Sequence, residues 1–260
     1  MLRGMWTAAS GMASQQLQLD VIANNLANVN TTGFKKSRAD FQDLLYQTLR
    51  MAGATTATGG TVPTGIQIGM GCRPVAVQKL FTQGDYNQTK NELDWAIEGK
   101  GFFKILSNEE ELYTRAGAFK LDRDGYVVTS DGDRLQPEFA VPTGTVTISI
   151  DSGGRLVAAD AAGTELGSVQ VVLYSFPNPA GLFSVGRNLL RPTEASGEAI
   201  QGNPGTEGFG TISQGFLEVS NVDVVSEMVS MIITQRAYEV NSKAIQTSDQ
   251  MLELANNIKR

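Results

Sequence analysis

Every proline in this 260-residue chain lies between residues 63 and 204, and from residue 222 to the end there is neither proline nor glycine. Residues 1–33 hold no proline and only Gly4, Gly11 and Gly33. Proline removes a backbone donor and glycine adds chain entropy, so both interrupt regular structure. The two ends therefore read as helices, and the middle as strands and turns. The expected fold class is α+β: long N- and C-terminal helices packing as a coiled-coil-like inner domain, a central mainly antiparallel β domain, and an extended arm. The expected boundaries are 1–34 for the first helix, 35–71 for the arm or linker, 72–221 for the β domain and 222–260 for the last helix.

Both terminal segments repeat large apolar residues every seven positions. In the first they are Met5, Met12, Leu19 and Leu26, with Ile22 and Val29 beside them. Asn30-Thr31-Thr32-Gly33 supplies stop chemistry, with Gly33 suited to a left-handed helix cap. The rest of this segment is rich in amides and hydroxyls. Up to Phe34 its only charged side chains are Arg3 and Asp20. In the last segment the beat is Val224, Met231, Tyr238, Ile245 and Leu252, while the other seam position is mostly polar: Gln235, Ser242, Asp249, Asn256. A helix over 222–258 would be roughly 55 Å long at 1.5 Å per residue. One narrow stripe buries too little to hold it, so pairing of the two helices plus packing between chains is expected. The candidate subunit-interface residues are Met5, Met12, Leu19, Ile22, Asn24, Asn25, Leu26, Asn28, Val224, Met231, Tyr238, Ile245 and Leu252.

Between the first helix and the β domain, Phe41, Leu44, Leu45 and Leu49 are spaced for a short helix. Residues 51–61 are then almost all Ala, Thr and Gly and read as an extended arm or flexible loop. Candidate arm residues contacting a neighbour are Phe41, Leu44, Leu45, Tyr46, Thr55, Thr58 and Pro63. Further on, Asp124-Gly125 and Asp131-Gly132 are tight-turn dipeptides. Val146, Ile148 and Ile150 alternate with hydroxyl residues before a Ser152-Gly153-Gly154 turn, and 168–176 is a further strand candidate.

The composition excludes much chemistry. There is no histidine, which removes the commonest general base and metal ligand. Neither standard phosphate-binding glycine loop is present, and Asp122-Arg123-Asp124-Gly125 lacks the later ligands of a calcium loop. Glu109-Glu110-Glu111 reads as a solvated loop. The single cysteine, Cys72, allows no internal disulfide and reads as a small structural residue. No catalytic residue, cofactor, metal or small-molecule substrate is expected. Net charge is −6, and 72–221 alone carries 12 Lys and Arg against 19 Asp and Glu, so no nucleic-acid partner is expected. Apolar runs are too short to span a bilayer, and the N-terminus does not read as a cleaved secretory signal.

Four segments carry a family resemblance. Asp20-Val21-Ile22-Ala23-Asn24-Asn25-Leu26-Ala27-Asn28-Val29-Asn30-Thr31-Thr32-Gly33-Phe34-Lys35 resembles the N-terminal signature of bacterial flagellar rod and hook proteins. Leu93-Asp94-Trp95-Ala96-Ile97-Glu98-Gly99-Lys100-Gly101-Phe102-Phe103 is similar to that family's central motif, and Tyr113-Thr114-Arg115-Ala116-Gly117-Ala118-Phe119 to its next element. Gln214-Gly215-Phe216-Leu217-Glu218-Val219-Ser220-Asn221-Val222, with Gln235-Arg236-Ala237-Tyr238-Glu239, resembles its C-terminal signature. The four occur in family order, and the length with the stretch around residues 41–74 favours a rod subunit over a hook subunit.

The resemblance implies a structural axial protein exported unfolded through the flagellar type III apparatus and assembled into a hollow tube. Its implied partners are copies of itself, proximal rod subunits, hook or hook-junction proteins, the surrounding basal-body rings and the export apparatus. The implied location is the basal-body rod crossing the periplasm, reached without a cleaved signal. A competing reading is a soluble binding module whose β domain captures a carbohydrate or peptide, with the helices as a dimerisation stalk. Filaments or high oligomers against a fixed dimer separate the two. An enzyme ranks third.

Overall fold

A computed structural model of the chain describes residues 2–53 and 63–258, and packing divides it into two compact units. The first comprises Met1–Leu26, Ser37–Gln78 and Val224–Arg260; the second comprises Ala27–Lys36 and Lys79–Asp223.

In the first unit the two proline-free ends are helices, α1 (Leu2–Ala27) and α2 (Val224–Ile258). They meet at two described points. A methyl group added at Gly11 would lie 3.0 Å from the Asn241 amide nitrogen, and Asn25 donates to Glu227 at 3.3 Å. Fourteen residues forward on α1 correspond to fourteen residues back on α2, so the helices run antiparallel. Gly11 permits the close approach, since any side chain there would press on Asn241.

Four strands complete this unit: β1 (Ser37–Asp43), β2 (Tyr46–Arg50), β3 (Ile66–Gly69) and β4 (Cys72–Lys79), of which Lys79 is assigned to the second unit. β1 pairs with β4, and β2 pairs antiparallel with β3. The helix expected over Phe41–Leu49 is therefore absent. Tyr46, Gln47 and Thr48 pair with Gly69, Ile68 and Gln67, and this ladder supplies the backbone bonds that an isolated helical turn would have had to make. Cys72 lies against α1, with its sulfur 3.2 Å from the Ser14 hydroxyl. The arm residues Thr55 and Thr58 and most of 51–61 lie outside the described residues.

The second unit is β-rich. Its strands are β5 (Tyr86–Gln88), β6 (Trp95–Glu98), β7 (Phe103–Ser107), β8 (Glu110–Thr114), β9 (Lys120–Leu121), β10 (Val127–Val128), β11 (Arg134–Gln136), β12 (Thr147–Ile150), β13 (Arg155–Ala159), β14 (Glu165–Gln170), β15 (Leu173–Ser175), β16 (Phe183–Gly186), β17 (Leu189–Arg191), β18 (Ile200–Gly202), β19 (Thr211–Gln214) and β20 (Phe216–Glu218). The main sheet has the order β16-β17-β8-β7-β11-β10-β9; β12-β13-β14 form a meander, and β6 pairs with β19, β15 with β18 and β5 with β20. Every one of these pairings is antiparallel. Asp124-Gly125 and Asp131-Gly132 do turn hairpins, on either side of β10. The strand expected over 168–176 is two, β14 and β15, each with its own partner.

The core is built on Trp95, Phe103 and Phe119, all essentially inaccessible, with ring centroids 5.1–6.5 Å apart. Ile97, Ile105, Leu156, Leu173 and Ile212 pack into the same cluster. On β12, Ile148 and Ile150 point inward and Thr147 and Ser149 outward, as the alternation requires.

Candidate assembly surface and a buried ion cluster

α2 is turned apolar side out. Its buried positions repeat every seven residues but are polar: Glu227 and Thr234 are buried, and Asn241 and Ser248 half-buried. Glu227 and Asn241 are the residues that meet α1. About half a turn away, at 3.6 residues per turn, lie Val225, Met228, Val229, Ile232, Ile233 and Val240, each between 50% and 70% exposed. Leu254 is exposed further along. These apolar residues share one side of the helix and remain exposed.

The residues chosen from the sequence fall elsewhere on the two helices. Met231, Ile245 and Leu252 are half-buried on the flank between these faces, and Val224 and Tyr238 are each 39% exposed. On α1, Met5, Met12, Leu19 and Leu26 are half-buried and Asn24 is exposed, and Asn28, just beyond the helix, is half-buried. Ile22 and Asn25, expected at a subunit surface, are buried within the single chain. Asn25 acts as a substitute peptide group: it accepts from the Ser37 N–H at 2.8 Å and donates to the Ser37 carbonyl at 2.9 Å. The exposed face of α2 was missed because its members do not keep a strict seven-residue beat. A count at the 3.6-residue helical period would have found it.

The β2–β3 ribbon also carries unburied apolar side chains: Leu45, Tyr46, Leu49, Ile66 and Ile68 are exposed, as are Phe41 and Pro63, and Leu44 is half-buried.

In the second unit, residues from all four signature segments converge on one buried ion cluster. Glu218 is 2% exposed and accepts from Lys35 Nζ at 2.5 Å and Arg115 Nε at 2.6 Å. The Gly84 N–H binds the same carboxylate at 3.0 Å. Arg115 spends its other donors on the carbonyls of Ile97, Gly99 and Gly101 and on Gln83. Lys35 also donates to the Thr82 carbonyl at 2.6 Å. Gly33, at φ 69°, donates to the Glu218 carbonyl, and a Cβ there would lie 2.6 Å from the Ala116 nitrogen. It lies well beyond α1, which ends at Ala27, so its left-handed turn serves this cluster and not the helix cap expected. Asn221 ties in the flank by accepting from the Lys36 N–H and donating to the Leu80 carbonyl. Burial pushes the Glu218 carboxyl upward, but Arg115, Gly84 and Lys35 outweigh it and hold it below the usual carboxylate range. Burial lowers the Lys35 ammonium, and Glu218 offsets this only in part.

The cluster joins chain segments and is saturated with internal partners. Among the described residues no group of His, Cys, Asp and Glu could hold a metal ion, and no helix is long and apolar enough to cross a membrane.

Comparison with known proteins agrees with this architecture. Residues 5–35 match the flagella basal body rod protein family, 96–158 the flagellar hook protein FlgE/F/G D1 domain, and 213–258 the flagellar basal body rod FlgEFG protein C-terminal family. These models define the class, the flagellar rod and hook proteins. The chain is 50% identical to the flagellar basal-body rod protein FlgG of Borreliella burgdorferi over the whole of both chains. It is 45% identical to FlgG of Buchnera aphidicola subsp. Schizaphis graminum, covering 97% of this chain and 98% of the relative, and 45% identical to FlgG of Caulobacter vibrioides, covering 99% and 100%. The chain belongs to the FlgG family of flagellar basal-body rod proteins, which are structural and not enzymes.

Proposed function

We propose that this chain is a subunit of the distal rod, assembling with copies of itself into a hollow helical tube that carries torque from motor to hook and passes exported subunits. The observation that carries this reading is the outward apolar face of α2. A helix that keeps Glu227 and Asn241 inside and Ile232 and Val229 outside lacks an apolar partner among the described residues. The proposed subunit interface joins that face to the half-buried flank of Met231, Tyr238, Ile245 and Leu252 and to the α1 stripe of Met5, Met12, Leu19 and Leu26. In assembled subunits the two helices form a coiled-coil-like inner layer.

The β2–β3 ribbon, with Leu45 and Tyr46 exposed, supports an arm that bridges neighbouring subunits. Proximal rod subunits, hook or hook-junction proteins, the basal-body rings and the type III export apparatus are the further proposed partners. The proposed location is the rod crossing the periplasm, reached without a cleaved signal.

The test is electron microscopy of basal bodies carrying a tagged chain, beside the variant Ile232→Lys. The label is expected along the distal rod, and the variant is expected to leave rods short or absent while the soluble subunit stays folded. Label elsewhere, or normal rods from the variant, rejects the reading.

A further inference from the structure

The β-rich unit carries an open groove of about 760 Å³ that the rod reading does not use. Its floor is Tyr113 and Tyr174, packed edge to face with ring centroids 5.5 Å apart. Its sides include Lys104, Glu111, Glu194 and Glu198.

Two observations define what it accepts. Lys104 places its ammonium 5.5 Å from the Tyr174 ring centroid and pairs with Glu111. The groove thus already seats one cation, between an aromatic face and a carboxylate. Glu194 and Glu198 then remain on the same wall, with no ion pair among the described residues. Tyr113 is 3% exposed and lines the groove, and its hydroxyl makes no hydrogen bond to another described residue. Burial, reinforced by the Glu111 charge, pushes its pKa up to about 12, so the hydroxyl stays protonated and keeps both donor and acceptor capacity.

We propose that this groove binds a basic peptide segment of another protein, one arginine or lysine side chain entering it to meet Glu194, Glu198 and the Tyr113 hydroxyl. The lining has one lysine against three glutamates, so an entering cation offsets part of the negative surplus and a neutral ligand leaves it whole. The volume lies within the range of ligand pockets, wide enough for a guanidinium and its stem.

The test uses the full-length chain, verified as a monomer, and a capped Gly-Arg-Gly-Arg-Gly peptide in isothermal titration. The controls are the same peptide with citrulline for arginine, and chitotetraose as a neutral glycan. The arginine peptide is expected to bind, to weaken as salt is raised, and to lose all measurable binding on citrulline replacement. Glu194→Gln with Glu198→Gln is expected to weaken it roughly five- to tenfold, as two exposed ion pairs allow. Tyr113→Phe keeps the ring packing and is expected to cost roughly threefold, the effect of one neutral hydrogen bond. No binding, binding unchanged in the Glu double variant, or preference for citrulline or chitotetraose each overturns the proposal. Because the monomer is read, the outcome is separate from whether the chain forms a rod.

Discussion

The two compact units solve burial in opposite ways. In the β-rich unit, Trp95, Phe103 and Phe119 go inside, and even its deepest charges, Glu218 and Arg115, are matched by named partners. In the helical unit, α2 puts Glu227 and Thr234 inside and leaves Val225, Val229 and Ile232 in solvent. The first arrangement is complete within one chain. The second leaves apolar area in water, which contributes its roughly 25 cal/mol per Å² only when something covers it, and the proposed subunit interface would supply that cover. On the proposed reading, independent folding and readiness to assemble belong to different segments of one chain.

Substitutions can break this contrast. The largest effect is expected in the β core: Phe103→Ala should cost about 3–5 kcal/mol through lost transfer energy and the cavity left behind. Chemical denaturation of the monomer reads it, and a loss below about 1 kcal/mol would mean that the core is not what holds this unit.

Next comes Glu218→Gln, which strands Arg115 and Lys35 as buried cations and should cost about 3–5 kcal/mol. Its sign with pH is fixed. The folded carboxyl is held below the usual range, so it stabilises the fold above its unfolded pKa of about 4.3, and that contribution is lost as pH falls through the folded value. The variant should therefore lose part of the steep acid limb of stability against pH. An unchanged limb would assign acid sensitivity to other carboxylates. Lys35 acts at the other end. Its lowered pKa makes stability rise as pH approaches the unfolded value of about 10.4, and Lys35→Met should reduce that rise in melting temperature, leaving the share of Lys79, whose pKa burial also lowers.

A smaller loss, about 1–3 kcal/mol, is expected for Asn25→Leu, which leaves the Ser37 N–H and carbonyl unpaired. The smallest effect on the monomer is expected for Val229→Ala and Ile232→Ala, within about 0.5 kcal/mol as for other surface changes, although assembly should fail. Sedimentation measures the second half of that statement. A destabilised monomer that still assembles would reverse the assignment of the two faces.

The sequence shows these contrasts unevenly. The placement of proline and glycine was enough to divide helices from strands, and the Asp-Gly pairs located their hairpins. The outward face of α2 was not legible in the same way. Glu227, Thr234 and Asn241 keep a seven-residue beat and so do Val224, Met231 and Tyr238, and spacing alone does not say which stripe meets α1. Phe41–Leu49 misled for a related reason: its apolar spacing suits a short helix, whereas the β2 partners are some twenty residues further along the chain. The ion cluster joins residues 103 and 183 positions apart, and no local pattern links Lys35 or Arg115 to Glu218. The four signature segments were visible as a resemblance, whereas the contact that residues from all four share was not.

The central claim, that the exposed face of α2 is covered by neighbouring subunits, is tested most directly at Met228, which is 51% exposed in the single chain. Oxidation of methionine follows solvent access. Peroxide treatment followed by mass spectrometry of the peptide containing Met228 should show ready sulfoxide formation in the monomer and strong protection in assembled rods. Equal oxidation of Met228 in monomer and rod would contradict the account.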